Sequence, residues 1–263
     1  MIAWKTWREA RWLTLLYAIL LEAGVIVSVL MWPWLRDQAP ALAKLAPAQF
    51  IRRWVEGITS PDADAAYGAY MALQLFFKGV NVVGLCFAVV FGALLVARER
   101  ENHTLEFLLA RPLSRSRILW ARFWVLGTAL VVPILLTSWS AIPLSWTIDE
   151  NLPFGTVTIG AVYNALFCVL FFAVSALFSV RARTQLQVVA VVGAIAVFEV
   201  SLYFVQEIRN TSVFRLSDYD VYAPILAGNL GLGRLFVTRG VWLLTASVAA
   251  YAIADRCFAK AKL

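Results

Sequence analysis

"ARERENHTLEFLLARPLSRSR", residues 97–117, is dense in arginine and glutamate, yet the chain is apolar on both sides of it. "VNVVGLCFAVVFGALLV" (80–96) precedes it and "WVLGTALVVPILL" (124–136) follows. Each flank extends into a run of ~20 or more apolar residues, the length that crosses a hydrocarbon layer of ~30 Å. A charged, helix-compatible piece between two such runs is a connection outside a bilayer. The fold class follows: an all-α polytopic membrane protein.

The rest of the chain agrees. Of 263 residues 62% are hydrophobic and 15% charged, with mean hydropathy +0.76. A soluble domain carries ~25% charged residues and ~50% apolar ones, so this excess cannot be hidden in a soluble core. Cys86, Cys168 and Cys257 have neither metal-ligand spacing nor a disulfide-framework pattern. The net charge of +7 reflects basic loops beside a membrane and is no sign of nucleic-acid binding.

Six apolar runs are predicted to span, at about 13–35, 69–97, 118–146, 157–180, 186–206 and 238–257, in one transmembrane domain covering 1–263. Residues 1–12, with Trp4, Trp7, Arg8, Arg11 and Trp12, suit a short helix lying in the interface. Connections on one side, which include Lys5, Arg98, Arg115, Arg181 and Arg256, hold 14 lysines and arginines; those on the other side hold 8. The positive-inside rule then puts both termini and residues 98–117 in the cytoplasm. On the outer side, 47–58 reads as an amphipathic helix through Phe50, Ile51, Trp54, Val55 and Ile58, and a new helix starts with Ser60 as its cap. The stretch 219–237, broken by Pro224, Gly228, Gly231 and Gly233, suits a re-entrant element near the outer face.

Chemistry is scarce. No GxxxxGK[ST] run exists, so no phosphate-cradling loop is present, and "GNLGLGR" lacks the lysine and hydroxyl. His103 is the single histidine, which excludes histidine triads and multi-histidine metal sites. No catalytic, metal or cofactor residue is expected in this chain. Glu22 and Glu199 fall within spans, where a carboxylate either lines a substrate path or ties helices together.

A helix from about 99 to 111 sets Thr104, Leu105, Leu108 and Leu109 close together, a stripe suited to docking in a groove on another protein. Pro112 ends it, and Ser114 and Arg115 open the run into the next span. "RERENHTLEFLLARPLSRSRILWARF" resembles the first cytoplasmic connection of ABC type-2 permeases, whose pattern is close to E-R-E-x-G-T-L-E-x-L-L-x-x-P-x-S-R. Glu99, Glu101, Thr104, Leu105, Glu106, Leu108, Leu109, Pro112, Ser114 and Arg115 fall on that pattern; "NH" at 102–103 departs from it, where a glycine commonly precedes the threonine.

The resemblance implies a six-span membrane half of an ABC exporter in the cell membrane, with this segment as the coupling helix. Its partners would be two copies of an ATPase subunit, which bind ATP and Mg, and a second permease, identical or related. A self-contained secondary transporter or channel, using Glu22 and Glu199, stays open as an alternative, and so does a non-transporting membrane scaffold. The substrate is not legible.

Overall fold

A computed structural model describes residues 2–45, 49–109, 113–205 and 207–260, and the described residues are helical with no strand. Six helices are long and apolar enough to cross a membrane: Ile2–Ala39, Ala63–Ala93, Arg115–Trp146, Phe154–Arg181, Gln185–Phe204 and Gly233–Lys260.

The first belongs to α1, one continuous helix over Ile2–Leu45. Ala10, Tyr17, Leu21, Val25, Val29, Trp32, Leu35 and Ala39 are its buried apolar stripe, spaced by threes, fours and a seven that Thr14 divides. That spacing runs unbroken from end to end, so nothing in the sequence stops the helix between residues 12 and 13. The separate interfacial helix expected over 1–12 is therefore corrected: these residues are the first turns of α1, in line with the span. Trp4 and Trp12 remain largely exposed on its outer side.

The helix α2, Gln49–Ile58, carries the expected amphipathic stripe, and Val55 and Ile58 bury it against the protein. The side chains of Phe50 and Ile51 lie outside the described residues. In α3, Ala63–Ala93, the cap is Asp62, whose carboxylate accepts from the Asp64 N–H at 3.2 Å. Ser60, the expected cap, accepts from the Asp62 N–H at 3.4 Å and shapes the turn before it.

A π-helical stretch, Ala72–Val80, interrupts α3. Wider turns displace carbonyls from the regular ladder, and the amide of Asn164 reaches one of them, Phe76 O, at 3.2 Å. The same amide nitrogen lies 2.9 Å from Asn81 Oδ1 and 2.9 Å from the Tyr222 hydroxyl. Ser217 completes this buried group, donating to Asn81 Oδ1 at 3.0 Å.

After α3 come two short helices, α4 (Ala97–Glu101) and α5 (Leu105–Leu109), and then α6 (Arg115–Trp146), α7 (Phe154–Arg181) and α8 (Gln185–Phe204). The helix α7 is the axis of the bundle, packed against α3, α6, α8 and the last helix, α10 (Gly233–Lys260). Close approach of α3 to α7 depends on Gly92: a Cβ there would lie 2.2 Å from Ser175 Cβ. Between α8 and α10, the short α9 (Tyr219–Leu226) packs on the π-helical stretch and on α7, with Tyr222 fully buried. The broken apolar stretch 219–237 thus divides: α9 packs on the protein beside the Asn81–Asn164–Ser217 group, and 233–237 open α10.

Both termini, α4, α5 and the 182–184 connection gather at one end of the bundle, here the terminal end. The far end has its own buried carboxylate. Glu150 accepts from Trp32 Nε1 at 2.8 Å and from Arg36 Nη1 at 3.3 Å.

Candidate functional site

The charged connection between the second and third spans is two short helices, not one. Its first piece, α4, ends in a Schellman turn, with the Thr104 N–H donating to Glu99 O (2.8 Å) and the His103 N–H to Arg100 O (3.1 Å). His103 takes the left-handed conformation at φ 55° that this turn demands. The position is the one at which a glycine commonly stands in the resembling pattern, and glycine alone adopts that φ without steric cost. The single helix expected over 99–111 is thus corrected to α4, a left-handed residue and α5.

Glu99 is turned inward and only 3% exposed. Its carboxylate accepts from Arg122 Nη1 at 2.6 Å, from Lys5 Nζ at 3.1 Å and from the Thr104 hydroxyl. Arg122, 1% exposed, also donates to Leu94 O at 2.8 Å and approaches Glu9 at 3.6 Å, while Lys5 pairs with Glu9 at 3.5 Å. Two acids and two bases thus balance. Burial alone would raise the Glu99 pKa, but the hydrogen bonds from Arg122 and Thr104, the Arg122 charge and the Lys5 bond together hold it down to about 2.

The neighbouring charges fasten α4 to two further helices. Arg100 donates to Ala182 O at 2.6 Å and to Val180 O at 3.0 Å, carbonyls at the C-terminus of α7, where a cation is favoured. Glu101 accepts from the Gln185 N–H at 3.0 Å and from its side-chain amide at 3.1 Å, at the N-terminus of α8, where an anion is favoured. These bonds, the backbone one first, lower the Glu101 pKa. Ser179 of α7 bridges the break between α3 and α4: its hydroxyl accepts from the N–H groups of Val96 (3.1 Å) and Ala97 (3.0 Å) and donates to Ala93 O at 3.2 Å.

The expected docking stripe divides. Leu105 and Leu108 are 6% and 4% exposed and pack into this chain's own core, so they offer no surface to a partner. Phe107 is 77% exposed on the opposite side, with Glu106 beside it. Ser114 caps α6 as expected, accepting from the Arg117 N–H at 3.3 Å, and Arg115 begins that helix half-buried. Leu109 closes α5, though its side chain lies outside the described residues, as does all of Pro112.

Glu22 and Glu199 each have a partner within the chain. Ser140 donates to Glu22 at 2.8 Å, and Glu199 accepts from the Val213 N–H at 2.9 Å. They lie on different helices and in different bonds, an arrangement suited to tying elements together.

Sequence reasoning missed the buried side of this site: Lys5, Glu9, Arg122, Ser179 and Gln185. One signal was present for Arg122. In "ILWARFWV" a lone arginine interrupts an apolar run, and a charge there needs a buried counterpart.

A comparison with curated proteins finds no match. The sequence profile described as ABC-2 family transporter protein matches residues 3–220, which takes in the first five spans, the whole charged connection and the start of α9. With six apolar helices and a two-part connection wired to its neighbours, the chain belongs to the ABC-2 transporter family.

Proposed function

We propose that this chain is the permease half of an ABC exporter, driven by ATP and Mg bound on a separate ATPase subunit that docks on the α4–α5 segment. Two permeases, identical or related, and two ATPase subunits make the working complex in a cell membrane. The 14-to-8 basic asymmetry supports a cytoplasmic terminal end.

One observation carries this reading. The α4–α5 segment is fastened to α1 by Lys5, to α6 by Arg122, to α7 by Arg100 and Ser179, and to α8 by Glu101. A push on its outer surface therefore reaches four helices at once. Phe107 stands at that surface, where an exposed aromatic suits insertion into a partner's cleft. The proposed division of labour among the motif residues is that Glu99, Thr104, Leu105 and Leu108 fasten the segment within the chain. Phe107, Glu106 and the exposed edge of Glu101 meet the ATPase, with Leu109, Pro112, Ser114 and Arg115 continuing that contact into α6.

The test is co-expression and co-purification with a candidate ABC ATPase subunit. Phe107→Asp and Glu106→Lys should lose the ATPase, at a cost of ~2 kcal/mol or more for the aromatic, while elution on size-exclusion and thermal midpoint stay unchanged. Leu105→Ala should do the reverse, lowering the midpoint through a cavity while a folded fraction still captures the ATPase. Full ATPase capture by the Phe107→Asp, Glu106→Lys pair sinks the docking assignment.

A further inference from the structure

At the terminal end a cleft of about 1260 Å³ opens between α5, the start of α6, the end of α7 and the end of α10. Arg100, Arg115, Arg181, Arg183, Arg256 and Lys260 line it, against one carboxylate, Glu106, and the neighbouring His103. Arg115 has an interaction of its own, and little within the chain cancels the charge of the others. Arg100 spends its hydrogen bonds on the neutral carbonyls of Val180 and Ala182, and Arg181 reaches the Cys257 sulfur at 3.3 Å. The side chains of Arg183, Arg256 and Lys260 make no hydrogen bond or ion pair with any described residue; Arg183 is held through its backbone N–H, which donates to Gln187. The nearby acid on α10, Asp255, is engaged by the Ser116 hydroxyl at 3.0 Å and does not line the cleft.

The depth of the cleft is set independently. Trp4, Trp12, Trp120 and Trp124 are exposed around the terminal end, and such rings mark the headgroup boundary of a bilayer. Trp120 lies edge-on to Tyr251 of α10, centroids 5.6 Å apart. At 1.5 Å per residue, Arg256 is then ~8 Å beyond the ring level, at the outer edge of a headgroup layer ~5–8 Å thick, and Lys260 at ~13 Å lies past it, so the long side chains reach the phosphates from the water side. Val180, Ile253 and Phe258 form an apolar part of the same lining, so acyl chains would find a surface continuous with the basic one. Basic pockets between spans at that depth suit anionic headgroups.

We propose that this cleft binds the phosphodiester headgroup of an anionic membrane lipid, which holds the ends of α7 and α10 together beside the α5 segment. The cleft shares Glu106 and Arg115 with the segment proposed to meet the ATPase but is not lined by Phe107, and lipid binding there does not depend on an ATPase being bound. The test uses the full chain purified alone in detergent, with the thermal midpoint read on adding phosphatidylglycerol, phosphatidylcholine or inorganic phosphate. Phosphatidylglycerol should raise the midpoint of the wild type above that in phosphatidylcholine. The Arg183→Gln, Arg256→Gln double variant should lose that difference, and the exposed control pair Arg8→Gln, Arg11→Gln should keep it.

Equal shifts with both lipids, or equal loss in the control pair, would overturn the proposal in favour of general surface attraction. A shift reproduced by inorganic phosphate alone would overturn the lipid and give the cleft to free phosphate. An unchanged lipid response in the cleft variant, together with lost ATPase capture, would give it to the partner protein. Should the cleft variant not purify, native mass spectrometry of the wild type decides: retention of phosphatidylglycerol over phosphatidylcholine supports the site, and equal retention refutes it.

Discussion

Arg122 holds a full charge at 1% exposure, and stripping water from a guanidinium costs several kcal/mol that only a close anion can offset. Glu99 is that anion. Glu99→Ala should destabilise the chain by up to about 3–5 kcal/mol, because it leaves the buried Arg122 with only the longer contact to Glu9 at 3.6 Å as a counter-charge; a fall in thermal midpoint measures it. Pairing Glu99→Leu with Arg122→Met should recover most of the loss, since neither charge is then stranded. The same pair sets an acid limit. The folded pKa of Glu99 is depressed to about 2, so its contribution is complete above the ordinary carboxylate range and fades as pH falls from ~4.5 towards 2. Wild type should lose midpoint across that window, and the Leu/Met pair should lose less. His103 gives a third expectation. Its φ of 55° strains any residue but glycine by about 1 kcal/mol, so His103→Gly should raise the midpoint by a few degrees and leave ATPase capture intact.

Among elements, α3 is the one whose regular geometry fails, and its repair is visible. The Asn164 amide has two hydrogens and three acceptors in reach, on α3 itself, on Asn81 and on Tyr222 of α9. Asn164→Leu should therefore loosen α9 as well as α3, at about 1–3 kcal/mol for the groups left unsatisfied. Hydrogen exchange should show the loss at 213–226, and exchange unchanged there would mean that packing alone holds α9. Sequence pattern reached the break in this stretch because Pro224 and its glycines interrupt an apolar run. It reached the stripe of α5 as well, but the 3.6-residue period cannot say whether a stripe is buried by its own chain or by another. That ambiguity is why Leu105 and Leu108 read as docking residues while the exposed residue of the helix is Phe107. The break at His103 was legible only as a missing glycine. The long α1 was missed because three tryptophans and two arginines imitate an interfacial helix, while the stripe that continues through them shows as buried only against α3 and α6.

For the whole molecule, the expectation is topological. Ala63 is exposed at the start of α3, and Asn102 is exposed at the opposite end of that span. In a background lacking Cys86, Cys168 and Cys257, an impermeant maleimide should label Ala63→Cys in intact cells and Asn102→Cys only after permeabilisation. The opposite pattern would invert the membrane and remove the ATPase from the terminal end.

The continuity of α1 has a mechanical meaning. Near one end Lys5 grips Glu99 of the α4–α5 segment, and near the other Trp32 grips Glu150 in the turn after α6. These two grips are 27 residues apart on a helix, ~40 Å, and an α-helix resists compression along its axis far better than it resists bending. α1 is therefore a strut clamped at both ends. Displacing the segment by a given distance must displace the Glu150 turn by nearly as much, tilt the strut, or break a clamp. A displacement of the segment is thus carried along α1 towards the Glu150 turn as far as Pro33 beside the Trp32 clamp, where the ladder bond to residue 29 is missing and the helix can bend.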